Sequence, residues 1–151
     1  LHTVYDVAHN LGQLEMHQVE GRQMRCYVHR KGAARAFGPG TPGISLPYRA
    51  LGQPVLVPGS MGETSWVLLA TRRSMEVSFG SACHGAGRTM SRHELSHRAG
   101  VTGVDDSDAG GAVAAGGVQV KEDIDAVVET VAAAGLAGKV ARLRPIGVVH
   151  G

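Results

Sequence analysis

The run PVLVPGSMGETSWVLLAT, residues 54–71, holds two short apolar stretches split by Pro58-Gly59-Ser60-Met61-Gly62. Apolar runs of this length, rich in Val and bounded by Pro and Gly, predict a strand, a tight loop and a second strand. Upstream, RQMRCYVHR at 22–30 alternates partly between apolar and polar residues and also predicts a strand, ending at Lys31-Gly32. Downstream, KEDIDAVVETVAAAGL at 121–136 places Ile124, Val127, Val128, Val131 and Ala132 at helical spacing, with Gly135 positioned as the stop. KVARLRPIGVVHG, residues 139–151, then predicts a closing strand. Strands and helices interleave without an internal repeat, so the residues point to an α/β or α+β domain.

Other segments complete this reading. Asn10 with Leu11–Met16 predicts a short helix, closed by a turn at Gly21. GAARAFGPGTPG, 32–43, has Gly and Pro at turn density and predicts an ordered loop or a lid. MEVSFGSACHGAGR, 75–88, predicts a strand entering a glycine-rich turn, and TMSRHELSHR after it a helix. Residues 99–119 are poor in large side chains and rich in Gly, Ala and Asp, which predicts a low-complexity linker.

Composition narrows the function. With 151 residues the chain is long enough for one domain with its own core. Fifteen Lys and Arg against 13 Asp and Glu leave a formal charge of +2, so any anion site must be local rather than a property of bulk charge. Two cysteines make no disulfide framework, and a reducing compartment is expected. No apolar run approaches the roughly 20 residues of a spanning helix, so a cytoplasmic protein with no membrane contact is expected. The start at Leu1, straight into VYDVAHN, suggests a piece of something longer.

Chemistry concentrates in SACHGAGR, residues 81–88. A metal site on Cys83 and His84 together is disfavoured, because neighbours on a strand point to opposite faces. The same geometry disfavours His84 as base for a Cys83 nucleophile. A third reading puts a phosphate against His84, cradled by the Gly85–Arg88 amides and the Arg88 guanidinium. Neutral imidazole is a competent nucleophile at phosphorus. The plain alternative, a strand-to-helix turn with a buried Cys and a partly exposed His, stays open on these residues alone.

Several separated stretches together resemble the carboxy-terminal half of the RtcB family of RNA-splicing ligases. They are YDVAHN, VHRKGAARAFGPG, GQPVLVPGSMGETSW, SFGSACHGAGRTMSR and AGLAGKVARLRPIGVVHG, in the family's order. The resemblance implies an α+β fold of mixed β-sheets with flanking helices. It implies an enzyme that uses GTP and Mn2+ to join an RNA 2′,3′-cyclic phosphate or 3′-phosphate end to a 5′-hydroxyl, as in tRNA splicing and RNA repair. Carried over by motif, His84 is the nucleophile that accepts GMP. Asn10, Ser60, Ser65, Gly85, Ala86, Gly87 and Arg88 line the guanylate pocket, and His9 is a metal ligand. Arg30, Lys31 and Arg35 contact RNA or triphosphate oxygens. His150 stands where the family has a Lys near the guanylate.

The family's remaining metal ligands, an Asp, a Cys and two further His, have no counterpart here. The resemblance thus implies a partner for this chain, either a separate amino-terminal half or an accessory protein. The other reading is a truncated or degenerate relative that binds nucleotide, RNA or a partner chain without turnover. His17, His93 and His97 match no functional motif and are expected at the surface, and Cys26 is expected to be a small buried residue.

Overall fold

A computed structural model describes residues 2–59, 64–85 and 123–147. Strands β1 (Asn10–Val19) and β2 (Arg22–Lys31) form an antiparallel ribbon in unbroken register, from Asn10 opposite Lys31 to Val19 opposite Arg22. Two residues join them, Glu20 and Gly21, with φ of 48° and 76°. Such turns match the right-handed twist of paired strands and require positive φ at both central positions, which Gly21 adopts without strain.

The expected helix over residues 11–16 is therefore a strand. Side chains alternate across its faces, and the buried positions are Glu15 and His17, two residues apart. Leu14 and Met16 point the other way and are 40% and 52% exposed. The usual apolar-in, polar-out pattern is inverted, and this makes the segment read as something other than a strand. His17, expected at the surface, is only 2% exposed. Its Nε2 lies 2.8 Å from a Glu15 carboxylate oxygen, and its ring packs edge-on against Phe79 and Phe37.

The segment expected to be a loop or lid is not a lid. Strand β3 (Ala33–Arg35) opens it, and Ala34, Ala36 and Phe37 are buried. Strands β4 (Pro54–Val57) and β5 (Ser65–Ala70) pair as expected. The apparent strand at 75–80 resolves differently: helix α1 (Arg72–Val77) comes first, then a turn, then the short strand β6 (Ser81–Cys83) against β3. Ser74 anchors this helix by donating to the Ala36 and Thr71 carbonyls. Gly80 must be glycine, because its φ is 59° and a Cβ would lie 2.6 Å from the Phe37 ring and 2.7 Å from Met75 Sδ.

Helix α2 (Ile124–Ala133) begins at Asp123, whose carboxylate accepts from the Asp125 amide, and gives way to a turn at Gly135. Strand β7 (Ala137–Leu143) then joins the edge of β5, giving a three-stranded sheet ordered β4-β5-β7. Ile124, Val128 and Val131 from α2 share one core with Val55, Val57, Leu68 and Ala70 of the sheet and with Ala34 and Ala82 of the β3–β6 pair. Burying Leu68 alone contributes about 2 kcal/mol.

The class is α+β, with strands outnumbering helices among the described residues. Every pairing among the described strands is antiparallel, so the expected mixed sheets are not what these residues build. The expected helix after residue 88 and the low-complexity segment at 99–119 lie outside the described residues, as do His93 and His97. No helix among the described residues is long and apolar enough to cross a membrane.

Candidate active site around His9 and His84

The base of the ribbon and the end of β6 meet at one residue, Gly32. The Gly32 amide donates to Asn10 Oδ1 at 3.1 Å, and the Gly32 carbonyl accepts from the His84 amide at 3.4 Å. Asn10 and His84 thus hang from the same glycine, although 74 residues separate them. His9, one residue before Asn10, is carried onto His84: the two imidazoles lie parallel within 2°, centroids 4.1 Å apart.

This geometry sets the state of His84. Burial pushes its pKa below the usual histidine range and the charge of His9 lowers it further, with a backbone hydrogen bond at Leu56 acting the other way. The ring is therefore neutral at pH 7 and keeps a free lone pair. Its Nδ1 is buried and has no hydrogen-bond partner among the described residues. Beside it opens a cavity of about 510 Å³, walled by Tyr5, Tyr48, Leu51, Leu56, Val67 and Leu69. Tyr5 and Tyr48 meet edge to face, centroids 5.3 Å apart, so the aromatic wall is braced. A neutral nitrogen at the side of an apolar cavity suits attack on a group whose flat, apolar part rests in that cavity.

A Cβ on Gly85 would stand 3.9 Å from the Pro58 carbonyl oxygen, so Gly85 lies beside Pro58, where the β4–β5 loop begins. Ser65 accepts from the Gly59 amide at 3.0 Å through its hydroxyl and ties the two ends of that loop together. Ser60, Ala86, Gly87, Arg88 and His150 lie outside the described residues.

The three cations named from sequence take different places. Lys31 is exposed and pairs in register with Asn10, at the edge of the site. Arg30 is 4% exposed and points inward. Its guanidinium meets both Glu15 oxygens at 2.7 and 2.8 Å, Ser81 Oγ at 2.9 Å and the Phe79 and Gly80 carbonyls at 2.9 and 3.3 Å. The resemblance implies a contact from Arg30 to RNA or triphosphate oxygens, but its guanidinium is buried and occupied, which makes Arg30 a clamp between the ribbon and the turn that leads to His84. Arg35 is held by Gln53, Gln13 and the Gly43 carbonyl and lies over the Phe37 ring at 4.8 Å.

Glu15, His17 and Gly32 were missed as determinants of the site. The signal for the first two was their two-residue spacing, which puts both on one face of a strand. The signal for Gly32 was a glycine directly after a strand. Cys83 is half-buried, and burial pushes its thiol pKa up, so it is a poor nucleophile and packs against the core as a small apolar residue. Cys26 is half-buried rather than buried, and both thiols are free.

Manganese needs several oxygen or nitrogen donors. Among the described residues no three His, Cys, Asp or Glu side chains come together as such a set. His9 is one donor and does not make a manganese site.

A family model described as tRNA-splicing ligase RtcB matches residues 1–151. Similar proteins include the tRNA-splicing ligase RtcB of Pyrococcus abyssi, 46% identical over 98% of this chain and 17% of the relative. The tRNA-splicing ligase RtcB of Archaeoglobus fulgidus is 44% identical over 98% of this chain and 33% of the relative. The RNA-splicing ligase RtcB homolog 1 of Entamoeba dispar is 42% identical over the whole chain and 30% of the relative. The chain belongs to the RtcB family, and it spans between 17% and 33% of the length of these relatives.

Proposed function

We propose that this chain carries the nucleotide-accepting part of an RNA ligase, which joins RNA 2′,3′-cyclic phosphate or 3′-phosphate ends to 5′-hydroxyl ends at the expense of GTP. The observation that carries this reading is the parallel His9–His84 stack, hung from Gly32 beside the aromatic-walled cavity. A ring nitrogen of neutral His84 attacks the α-phosphorus of GTP. The N–P bond forms, the P–O bond toward the β-phosphate breaks, and pyrophosphate leaves. The purine lies against the Tyr5 and Tyr48 wall. Ser65 holds its loop in place, while Gly85, with Ser60, Ala86, Gly87, Arg88 and His150, supplies the remaining guanylate contacts that the resemblance implies.

Manganese enters as the family's metal, with His9 as one ligand. The other ligands have to come from outside the described residues. They belong to an amino-terminal half or a partner chain. The RNA ends are the second substrate, with Lys31 as the exposed cation at the edge of the site.

GTP labelled on the α-phosphate tests this with manganese present, using this chain joined behind the leading portion of the Archaeoglobus fulgidus relative. Label should appear on His84, acid-labile and base-stable, and His84→Ala should abolish it. The incomplete donor set among the described residues favours a second reading, in which the chain alone binds nucleotide, RNA or a partner without turnover. Titrating manganese into the chain alone separates the two: tight uptake of two ions contradicts the claim that its metal site is incomplete.

A further inference from the structure

The ribbon leads away from the His9–His84 pair, and its two faces differ sharply. One face carries Glu15, His17 and Arg30, which are buried against the body. The other presents Lys31, His29, Tyr27 and Arg25 along β2, opposite Asn10, Gly12, Leu14 and Met16 along β1. Neither strand has a carboxylate on this outer face. The one acid within the strands, Glu15, is on the inner face and bound to Arg30.

Same-face residues on a strand are about 7 Å apart, so cation, imidazole, phenol and cation follow at steps near the length of a nucleotide, over roughly 20 Å from Lys31 to Arg25. Tyr27 is 72% exposed and lies nearly parallel to His29, centroids 6.4 Å apart and planes 29° apart. Gly12 makes room for this arrangement: a Cβ there would come within 3.0 Å of His29 Nδ1. His29 therefore lies across the ribbon, with Tyr27 beside it.

We infer that this outer face is a track for single-stranded RNA, on which bases stack against Tyr27 and His29 while Arg25 and Lys31 meet phosphates. The inference rests on the RNA-ligase reading for the identity of its strand. The Lys31 end of the track abuts Asn10 and so delivers the strand to His9 and His84. Aromatic faces take any base, so binding along the track is indifferent to sequence.

The test is fluorescence anisotropy of a labelled 12-nucleotide single-stranded RNA titrated with the full chain from 50 to 200 mM salt. Tyr27→Ala should weaken binding roughly 5- to 100-fold, and Tyr27→Phe should restore it. Arg25→Ala and Lys31→Ala should each reduce the slope of log affinity on log salt by about 0.7. A duplex of the same sequence should bind more weakly, because its bases are already stacked. Tyr27→Ala binding within twofold of the parent, or equal affinity for duplex and single strand, overturns the track. So does unchanged RNA binding with a change in oligomeric mass, which would mark the face as a protein interface. Absence of label on His84 when this chain is joined behind the leading portion of the Archaeoglobus fulgidus relative would refute the nucleophile assignment and leave the track standing.

Discussion

Replacing Arg30 by Met should unfold the joint between the ribbon and the His84 turn. The side chain is 4% exposed, and its guanidinium serves two carboxylate oxygens, one hydroxyl and two carbonyls. Removing it leaves Glu15 ionised in the interior with only His17 as partner. Breaking one side of a buried pair costs about 3–5 kcal/mol. For a protein of this length that is a fall in Tm of roughly 6–20 °C.

The deficit should depend on pH. Burial alone would push the Glu15 carboxyl up, but hydrogen bonds from Arg30 and His17, and their charge, outweigh it and hold the group below the usual carboxylate range. A folded pKa below the unfolded one stabilises above the unfolded value and is lost as pH falls through the folded value. In Arg30→Met the depression is removed and burial dominates. The variant then takes up a proton on Glu15 readily, and its deficit should shrink between pH 7 and about pH 4. Urea unfolding followed by circular dichroism at the two pH values measures this. A loss under about 1 kcal/mol at pH 7, or a deficit that grows on acidification, would refute the clamp. The double variant Glu15→Leu with Arg30→Met should recover most of the loss, since no charge is left buried.

Gly80→Ala should cost at least about 2 kcal/mol, because it combines a left-handed backbone with a Cβ driven into Phe37 and Met75. Thermal unfolding within a degree of the parent would contradict that. Cys83 should react with iodoacetamide more slowly than an exposed thiol at pH 7.5, and Cys83→Ala, joined behind the leading portion of the relative, should still take label from GTP on His84, read on a denaturing gel. Loss of label in that variant would return the thiol to the mechanism.

Much of the fold was legible where side chains obey the simple rule of apolar residues inside. Strands β4 and β5, and helix α2 with its stop near Gly135, follow directly from Val, Leu and Ile spacing. The failures share a cause. In β1 the buried residues are charged or polar, and the apolar Leu14 and Met16 face out, so periodicity misleads. Helix α1 is six residues long, too short to show a period, and is held by the hydroxyl of Ser74.

For the site, His84 was legible from its own glycine-rich stretch, and His9 only through resemblance. No spacing rule brings residues 9 and 84 together, since their meeting depends on two hydrogen bonds to Gly32. The inward role of Arg30 is not legible from its motif, because its acidic partner Glu15 lies 15 residues upstream on the neighbouring strand.

The central claim is that His84 accepts the nucleotide. Mass mapping of the protein after incubation with manganese and α-labelled GTP, with the missing donors supplied by the leading portion of a relative, tests it most directly. A single GMP adduct is expected on the peptide containing His84, absent in His84→Ala. Label on any other residue, or label that survives His84→Ala, would contradict it.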